Sequence, residues 1–155
     1  MSTFKIKKIN SGFTLIEILV VIGIIAVLAA VVLVAINPAR QFKLARDSQR
    51  VSNVNAILNA VGQNIAEHKG QLICSGNIFT IPPVPTIIKS SGGFDLASCV
   101  IPAYISSLPF DPSAPDARFV DSTNYDTEYV LYQDSNGRVT ASSTGEITSS
   151  ISVTR

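Results

Sequence analysis

The sequence is short of the residues that do chemistry. It has one histidine, two cysteines and no tryptophan, and only 15% of its residues are charged. His68 has no catalytic partner set beside it by pattern, and it reads as a surface residue near the end of a helical stretch. No glycine-rich loop has the spacing that cradles phosphate, and no two carboxylates are placed by regular structure in an evident cleft. An enzyme is not expected. Two cysteines and one distant histidine fall short of the ligand number and spacing of a zinc site, so no metal and no cofactor is expected either. Positive charge is sparse where a nucleic-acid binder would need it. From Phe94 onward there are eight acids and three arginines, Arg118, Arg138 and Arg155, which argues against a nucleic-acid partner.

What the chain has in excess is one apolar run. From Ile18 to Ile36 all nineteen residues are Ala, Val, Ile or Leu apart from Gly23. As a helix the run covers about 28 Å, which matches a hydrocarbon layer of about 30 Å. It is apolar on every face, so it has no polar stripe of the kind that a half-buried helix in a soluble domain shows. Membrane lipid, or other helices like itself, is the expected surrounding. Glu17 contradicts the pattern, since a charge at the centre of a bilayer costs roughly 2.5–3.5 kcal/mol. Two readings stay open: a carboxylate tolerated near the interface, or one whose cationic partner arrives after processing.

Lys5, Lys7 and Lys8, followed by Gly12-Phe13-Thr14-Leu15-Ile16-Glu17 and the apolar run, resemble the prepilin signal of bacterial type IV pilins and type II secretion pseudopilins. The resemblance covers about the first forty residues closely. It implies that a membrane-embedded prepilin peptidase cuts between Gly12 and Phe13, that the new N-terminus on Phe13 is methylated, and that Glu17 is needed for assembly. The partners it implies are further copies of the chain, other pilins and an inner-membrane assembly platform, with membrane lipid around the helix before assembly. The implied location is the inner membrane, as a single-pass precursor, and then an extracellular or periplasmic filament. Physics supplies a reason for the spacing. Cutting after Gly12 creates a cationic amine one helical turn from Glu17, and methylation keeps its charge. In low dielectric the two charges attract more strongly than in water, within one chain or between neighbours.

The expected organisation is a basic leader at 1–12, a transmembrane and filament-core helix at 13–36, an amphipathic stem helix at 37–70 and a globular head at 71–155. The 155 residues, or 143 once the twelve of the leader are removed, allow one compact domain on a helical stem. Side chains of the processed chain carry nine bases against eleven acids. Orientation by charge is divided, because Arg40, Lys43, Arg46 and Arg50 follow the apolar run. The short leader and the long C-terminal part favour an N-terminus inside. A secretory signal peptide cut near Ala29 or Ala35 is the competing interpretation of the run, but the run exceeds the usual core of 7 to 15 residues. In an oxidising compartment Cys74 and Cys99 can pair, closing a loop whose entropic stabilisation is about 3.5 kcal/mol; two free buried thiols are the alternative.

Asn37-Pro38 marks a joint, where Asn caps a new helix and Pro fits its first turn, or where Pro kinks a continuous one. Val51, Val54, Leu58, Val61 and Ile65, widened by Ile57, then form the inner stripe of a helix that ends at Lys69-Gly70. Arg50, Asn53 and Asn64 fall among the residues assigned to its outer faces. Seven of the eight prolines lie between Gln71 and Asp126, so only short elements are expected there: strands at 77–81 and 86–89, and a helical turn at 101–108. Leu108-Pro109-Phe110-Asp111-Pro112 resembles the Leu-Pro-x-Asp-Pro element that pseudopilins carry before their sheet. It departs from that pattern by continuing Ser113-Ala114 with no tryptophan. Asp111, Asp116, Asp121, Asp126 and Asp134 lack the dense spacing of a calcium loop and read as solvated turns. Three strands should follow: 128–133, then a type I′ turn at Asn136-Gly137, 138–142, and 146–153 with Ile147, Ile151 and Val153 on one face. The Ser/Thr-rich end reads as an exposed strand, with glycosylation as the alternative.

The expected fold is therefore α+β, with a long N-terminal helix packed through its amphipathic half on a small antiparallel sheet, as in pilins. The expected function is that of a structural subunit of a type IV pilus or pilus-like filament. A secretion or DNA-uptake pseudopilin is the alternative within that class, and a membrane-anchored binding module that never polymerises is the alternative outside it.

Overall fold

The computed structural model describes residues 12–155, which form two units dividing between Gln41 and Phe42. The leader lysines Lys5, Lys7 and Lys8 lie outside the described residues.

In the first unit, helix α1 spans Leu15–Ile36. Thr14 holds the extended backbone of an N-cap, at φ −84° and ψ 151°, and none of the helical residues is buried. The helix stops at Asn37, which adopts the left-handed conformation at φ 48° and ψ 79°. Among non-glycine residues asparagine tolerates that region well. Helix α2, Pro38–Glu67, starts on the next residue, where proline loses no hydrogen bond, and the Asn37 side chain accepts from the Arg40 N–H at 3.3 Å. Of the two outcomes open for Asn37-Pro38, the helix restarts.

In the second unit the C-terminal part of α2 packs into the head. Val54, Ile57, Leu58 and Val61 are buried as the stripe requires, and Ile65 is packed against the same core. Burying each of these side chains stabilises the fold by about 1.5–3 kcal/mol. Val51 departs from the expectation and is 44% exposed. In its place Asp47, Arg50 and Asn53 turn inward, and Asn64 is also buried, so three polar residues assigned to the outer faces belong to the core side. Each is satisfied there. Asn64 Nδ2 donates to the Ile73 and Cys99 carbonyls at 2.7 and 2.6 Å while its Oδ1 accepts from the Ile73 N–H at 2.9 Å. Asn53 donates to the Tyr129 hydroxyl at 2.8 Å. A buried amide with its partners in place costs little; one without them would be strongly destabilising. Past Glu67 the helix closes on Gly70, at φ 90°, whose N–H reaches the Ile65 carbonyl at 2.9 Å.

A hairpin of β1 (Leu72–Cys74) and β2 (Asn77–Phe79) follows, and Cys74 is disulfide-bonded to Cys99 in the short helix α3 (Ala97–Val100). This helix lies one turn earlier than the helical turn expected at 101–108. Ile101 is extended at ψ 136°, because the ring of Pro102 disfavours the helical conformation of the residue before it.

The main sheet is antiparallel. Its long central strand β5 (Asn124–Gln133) carries β3 (Thr86–Lys89) along one edge. The other edge is shared by β4 (Arg118–Asp121) and β6 (Val139–Ser143), and β7 (Ile151–Thr154) pairs with β6. Tyr125, Thr127, Tyr129 and Leu131 alternate inward from β5. The strand expected at 86–89 and the three expected at the C-terminal end are all present, as β3, β5, β6 and β7; the fifth strand of the sheet, β4, had not been expected. Gln133 pairs with Val139, so five residues rather than two connect the hairpin. Of Asn136 and Gly137 only Gly137 has positive φ, at 81°, which rules out the type I′ turn. Asp134 dictates the turn instead: its Oδ1 accepts from the Asn136 and Arg138 N–H groups, both at 2.9 Å. Residues 146–150 are not strand, and Ile147 is 42% exposed.

Candidate functional site

The two ends of the candidate site lie within six residues. Gly12, Phe13 and Thr14 precede the helix and are exposed, with Phe13 at 85%. A peptide bond in such a segment is open to a protease. Thr14 and Glu17 then close a reciprocal cap. The Thr14 hydroxyl oxygen accepts from the Glu17 N–H at 3.2 Å, and Glu17 Oε2 accepts from both the Thr14 N–H and the Thr14 hydroxyl at 2.9 Å. The Glu17 carboxylate therefore folds back over the first turn, next to the residue that cleavage after Gly12 would make the N-terminus. An acid in a first turn is also favoured by the helix dipole.

Beyond the cap the helix offers only apolar surface. Ile18, Leu19, Val20 and the residues after them up to Ile36 are exposed. Among the described residues this is the one helix long and apolar enough to cross a membrane. The unit can insert into lipid or pack against other apolar helices, and it offers no catalytic group.

In the head, the largest cluster of charge surrounds Arg50, which is 2% exposed. Its guanidinium meets Asp111 in a two-pronged pair, Nε to Oδ2 at 2.7 Å and Nη2 to Oδ1 at 2.9 Å, and Nη1 reaches Asp47 at 2.7 Å. Arg46 holds Glu146 at 2.5 Å. Asp47 also accepts from three successive backbone N–H groups, those of Glu146, Ile147 and Thr148, at 2.8, 2.8 and 3.2 Å. These bonds shape the 146–150 segment into a loop rather than a strand. Gly145 is required beside it, since a Cβ there would stand 2.1 Å from the Thr148 carbonyl oxygen. Asp111, expected in a solvated turn, is 5% exposed. Desolvation pushes its carboxyl up, but Arg50 and the Ser113 and Ala114 N–H groups outweigh this and hold its pKa near about 2. Hydrogen bonds from Arg46, with help from Arg50 and Ser113, hold Glu146 at about 2 despite its own desolvation. Acids so firmly ionised and paired are ties between α2 and two loops, and none is poised to exchange protons near neutral pH.

Asp121 and Asp134, by contrast, do cap their own exposed turns. Among the described residues no group of three or more His, Cys, Asp or Glu side chains is placed to hold a metal ion.

Residues 7–33 match the family model of the prokaryotic N-terminal methylation motif. The chain carries a prokaryotic N-terminal methylation motif. No curated protein and no solved structure matches it. The motif is the hallmark of type IV pilin and pseudopilin precursors, which are structural proteins. The motif implies processing by prepilin peptidase and assembly with other pilins, and the apolar helix together with the motif fits a membrane-anchored precursor.

Thr14 stands in the motif, but its role as a helix cap was missed, although Thr-x-x-Glu ahead of an apolar run is the sequence sign of a capping box. The burial of Arg50 had a weaker sign in the Asp47-x-x-Arg50 spacing along one helix face. Its other partners, Asp111 and Glu146, stand 61 and 96 residues away, beyond any local pattern.

Proposed function

We propose that this prepilin is cut between Gly12 and Phe13, methylated on the Phe13 amine, and assembled as a structural subunit of a type IV pilus or pilus-like filament. The observation that carries this reading is the pairing of a cut-ready segment with a helix whose whole apolar surface is uncovered. In the membrane, lipid covers that surface; in a filament, neighbouring copies of α1 replace the lipid. Withdrawal from lipid is feasible for a helix apolar all round, since helix packing there depends on fit and on satisfying polar groups rather than on a hydrophobic driving force. Glu17 is the polar group to satisfy, and the Phe13 amine of an adjacent subunit is the cation that meets it.

The mass of the mature N-terminus tests the processing step. The expected product begins at Phe13 and carries one methyl group. A product beginning just after Ala29 or Ala35 would establish an ordinary secreted protein instead.

A pseudopilin of a secretion machine is a second reading, favoured by the Leu108–Pro112 element. In the head Asp111 of that element ties to Arg50 of the stem helix, so the element anchors the approach to the sheet.

A further inference from the structure

We propose that neighbouring heads meet head to tail, the β4 edge of one copy seating Val120 in a groove over Gly62 of the next. This rests on the filament reading. The groove, of about 440 Å³, lies between the C-terminal half of α2 and the turn after β5, and Leu58, Val61, Ile65 and Val139 give it apolar walls. Gly62 lines it too, and nothing within the chain accounts for that glycine. Glycine is among the poorest helix formers, yet a Cβ at Gly62 would meet no atom within 4 Å. Close approach by a group from outside the chain gives the missing side chain a use. At the rim stands Arg155, whose guanidinium is held by the side-chain oxygens of Asn55 and Asn59 and by no acid among the described residues. The groove therefore suits an apolar group that brings negative charge with it. The β4 edge is such a surface. Phe119 packs against the buried Tyr125, so by the pleat Arg118 and Val120 share the outward face with Asp126 and Glu128 of β5. Val120 is 63% exposed. Asp126 and Glu128 form no ion pair among the described residues, and the Arg118 guanidinium turns instead to the Asp116 carbonyl and to Asn124. Burial and the charges of Asp126 and Asp116 push the Glu128 carboxyl up, and Lys89 offsets this only in part. Groove and edge lie at opposite ends of β5, so one head cannot join them to each other. Between copies the contact is heterologous, of the kind that repeats along an open array.

Cysteines placed in the full-length chain test the contact, in sheared filaments treated with a bismaleimide that bridges free thiols and leaves the Cys74–Cys99 disulfide alone. Gly62→Cys combined with Val120→Cys is expected to give a ladder of dimers and longer products, because every copy offers both groups. Either substitution alone should leave monomer. A ladder that needs Ile78→Cys in place of Val120→Cys would overturn the proposal by seating the exposed β1–β2 hairpin in the groove. A dimer from Gly62→Cys alone would overturn it as well, by making the groove a symmetric contact. Gly62→Leu should fill the groove and lower the protein in filaments about tenfold, the penalty of an overpacked contact. Its urea midpoint in detergent should stay at or above that of the natural chain, since leucine is the better helix former and has room there. Filaments at the natural amount, or a midpoint that falls, would each overturn the role given to Gly62. Arg155→Glu should also lower the filaments about tenfold, and adding Glu128→Arg should restore them to within about threefold, as reversal of a charge pair across an interface does. No recovery would overturn the choice of the β4 edge as the occupant. If the natural chain forms no filament, the filament reading fails and this contact with it; abundant filaments without the Gly62–Val120 ladder would overturn this contact alone.

Discussion

Chains carrying Glu17→Val are expected to be made, inserted and cut normally, and to fall at least about a hundredfold in filaments. Valine removes a charge from the membrane segment, so insertion does not suffer. The proposed cut at Gly12–Phe13, four residues earlier, would leave the Phe13 amine in place. What changes is the fate of that amine on assembly. Opposite Glu17 it is neutralised in a medium of low dielectric. Opposite valine it enters an apolar core unpaired, at a cost of roughly 2.5–3.5 kcal/mol on insertion scales, which corresponds to about two orders of magnitude in an equilibrium. The amount of mature protein in sheared filaments, against the amount in membranes, is the measurement. Unchanged assembly would favour an anchored binding module over a filament subunit.

Replacing Arg50 by methionine should destabilise the head by about 3–5 kcal/mol, the range for removing one partner of a buried ion pair. Asp111 would keep its Ser113 and Ala114 N–H partners, at 2.9 and 3.0 Å, but lose both prongs of the guanidinium in a place 5% exposed. Asp47 would keep its three backbone donors and lose its cation. Urea unfolding of the full chain in detergent, followed by circular dichroism, gives the change. The double variant R50M/D111L should recover part of the loss, because an apolar pair of similar volume leaves Asp111 no charge to strand. A single variant as stable as the natural chain would mean that the cluster is solvated. The same ties set the response to acid. Asp111 and Glu146 ionise near about 2 in the folded chain, below their ordinary values of 3.8 and 4.5. Their contribution is therefore complete above about pH 4.5 and is lost as the pH falls toward 2, so the urea midpoint of the natural chain should drop across that window. In Arg50→Met the drop should be smaller.

How much of this was legible in the sequence follows from the range of the interactions. Helix α1 was readable because a membrane helix announces itself by composition alone. Val54, Ile57, Leu58 and Val61 were readable because a core stripe repeats at the helical period. The same period misplaced Val51, since pattern counts apolar residues and takes no account of a charged residue that finds its partners inside. Arg50 is buried because Asp111 reaches it from a loop 61 residues away and Asp47 from one turn before. The strand expected at 146–150 failed for the same reason. Its N–H groups, which a sheet would use, are taken by Asp47 from about 100 residues earlier. The hairpin at 133–139 was read correctly as a hairpin and wrongly as a turn type, because Asp134 binds the turn's N–H groups more effectively than the Asn136-Gly137 pair can impose positive φ. In the candidate site, Gly12, Phe13 and Glu17 were singled out by resemblance; the Thr14 cap, which needed no resemblance, was missed in a local pattern that carries it.

The central claim is that this chain becomes a filament through its N-terminal helix. Filaments sheared from cells that make it, viewed by electron microscopy and analysed by mass spectrometry, test that most directly. The account predicts filaments in which the chain is present and begins at methylated Phe13. A processed chain confined to the membrane fraction, and absent from every filament, would contradict it.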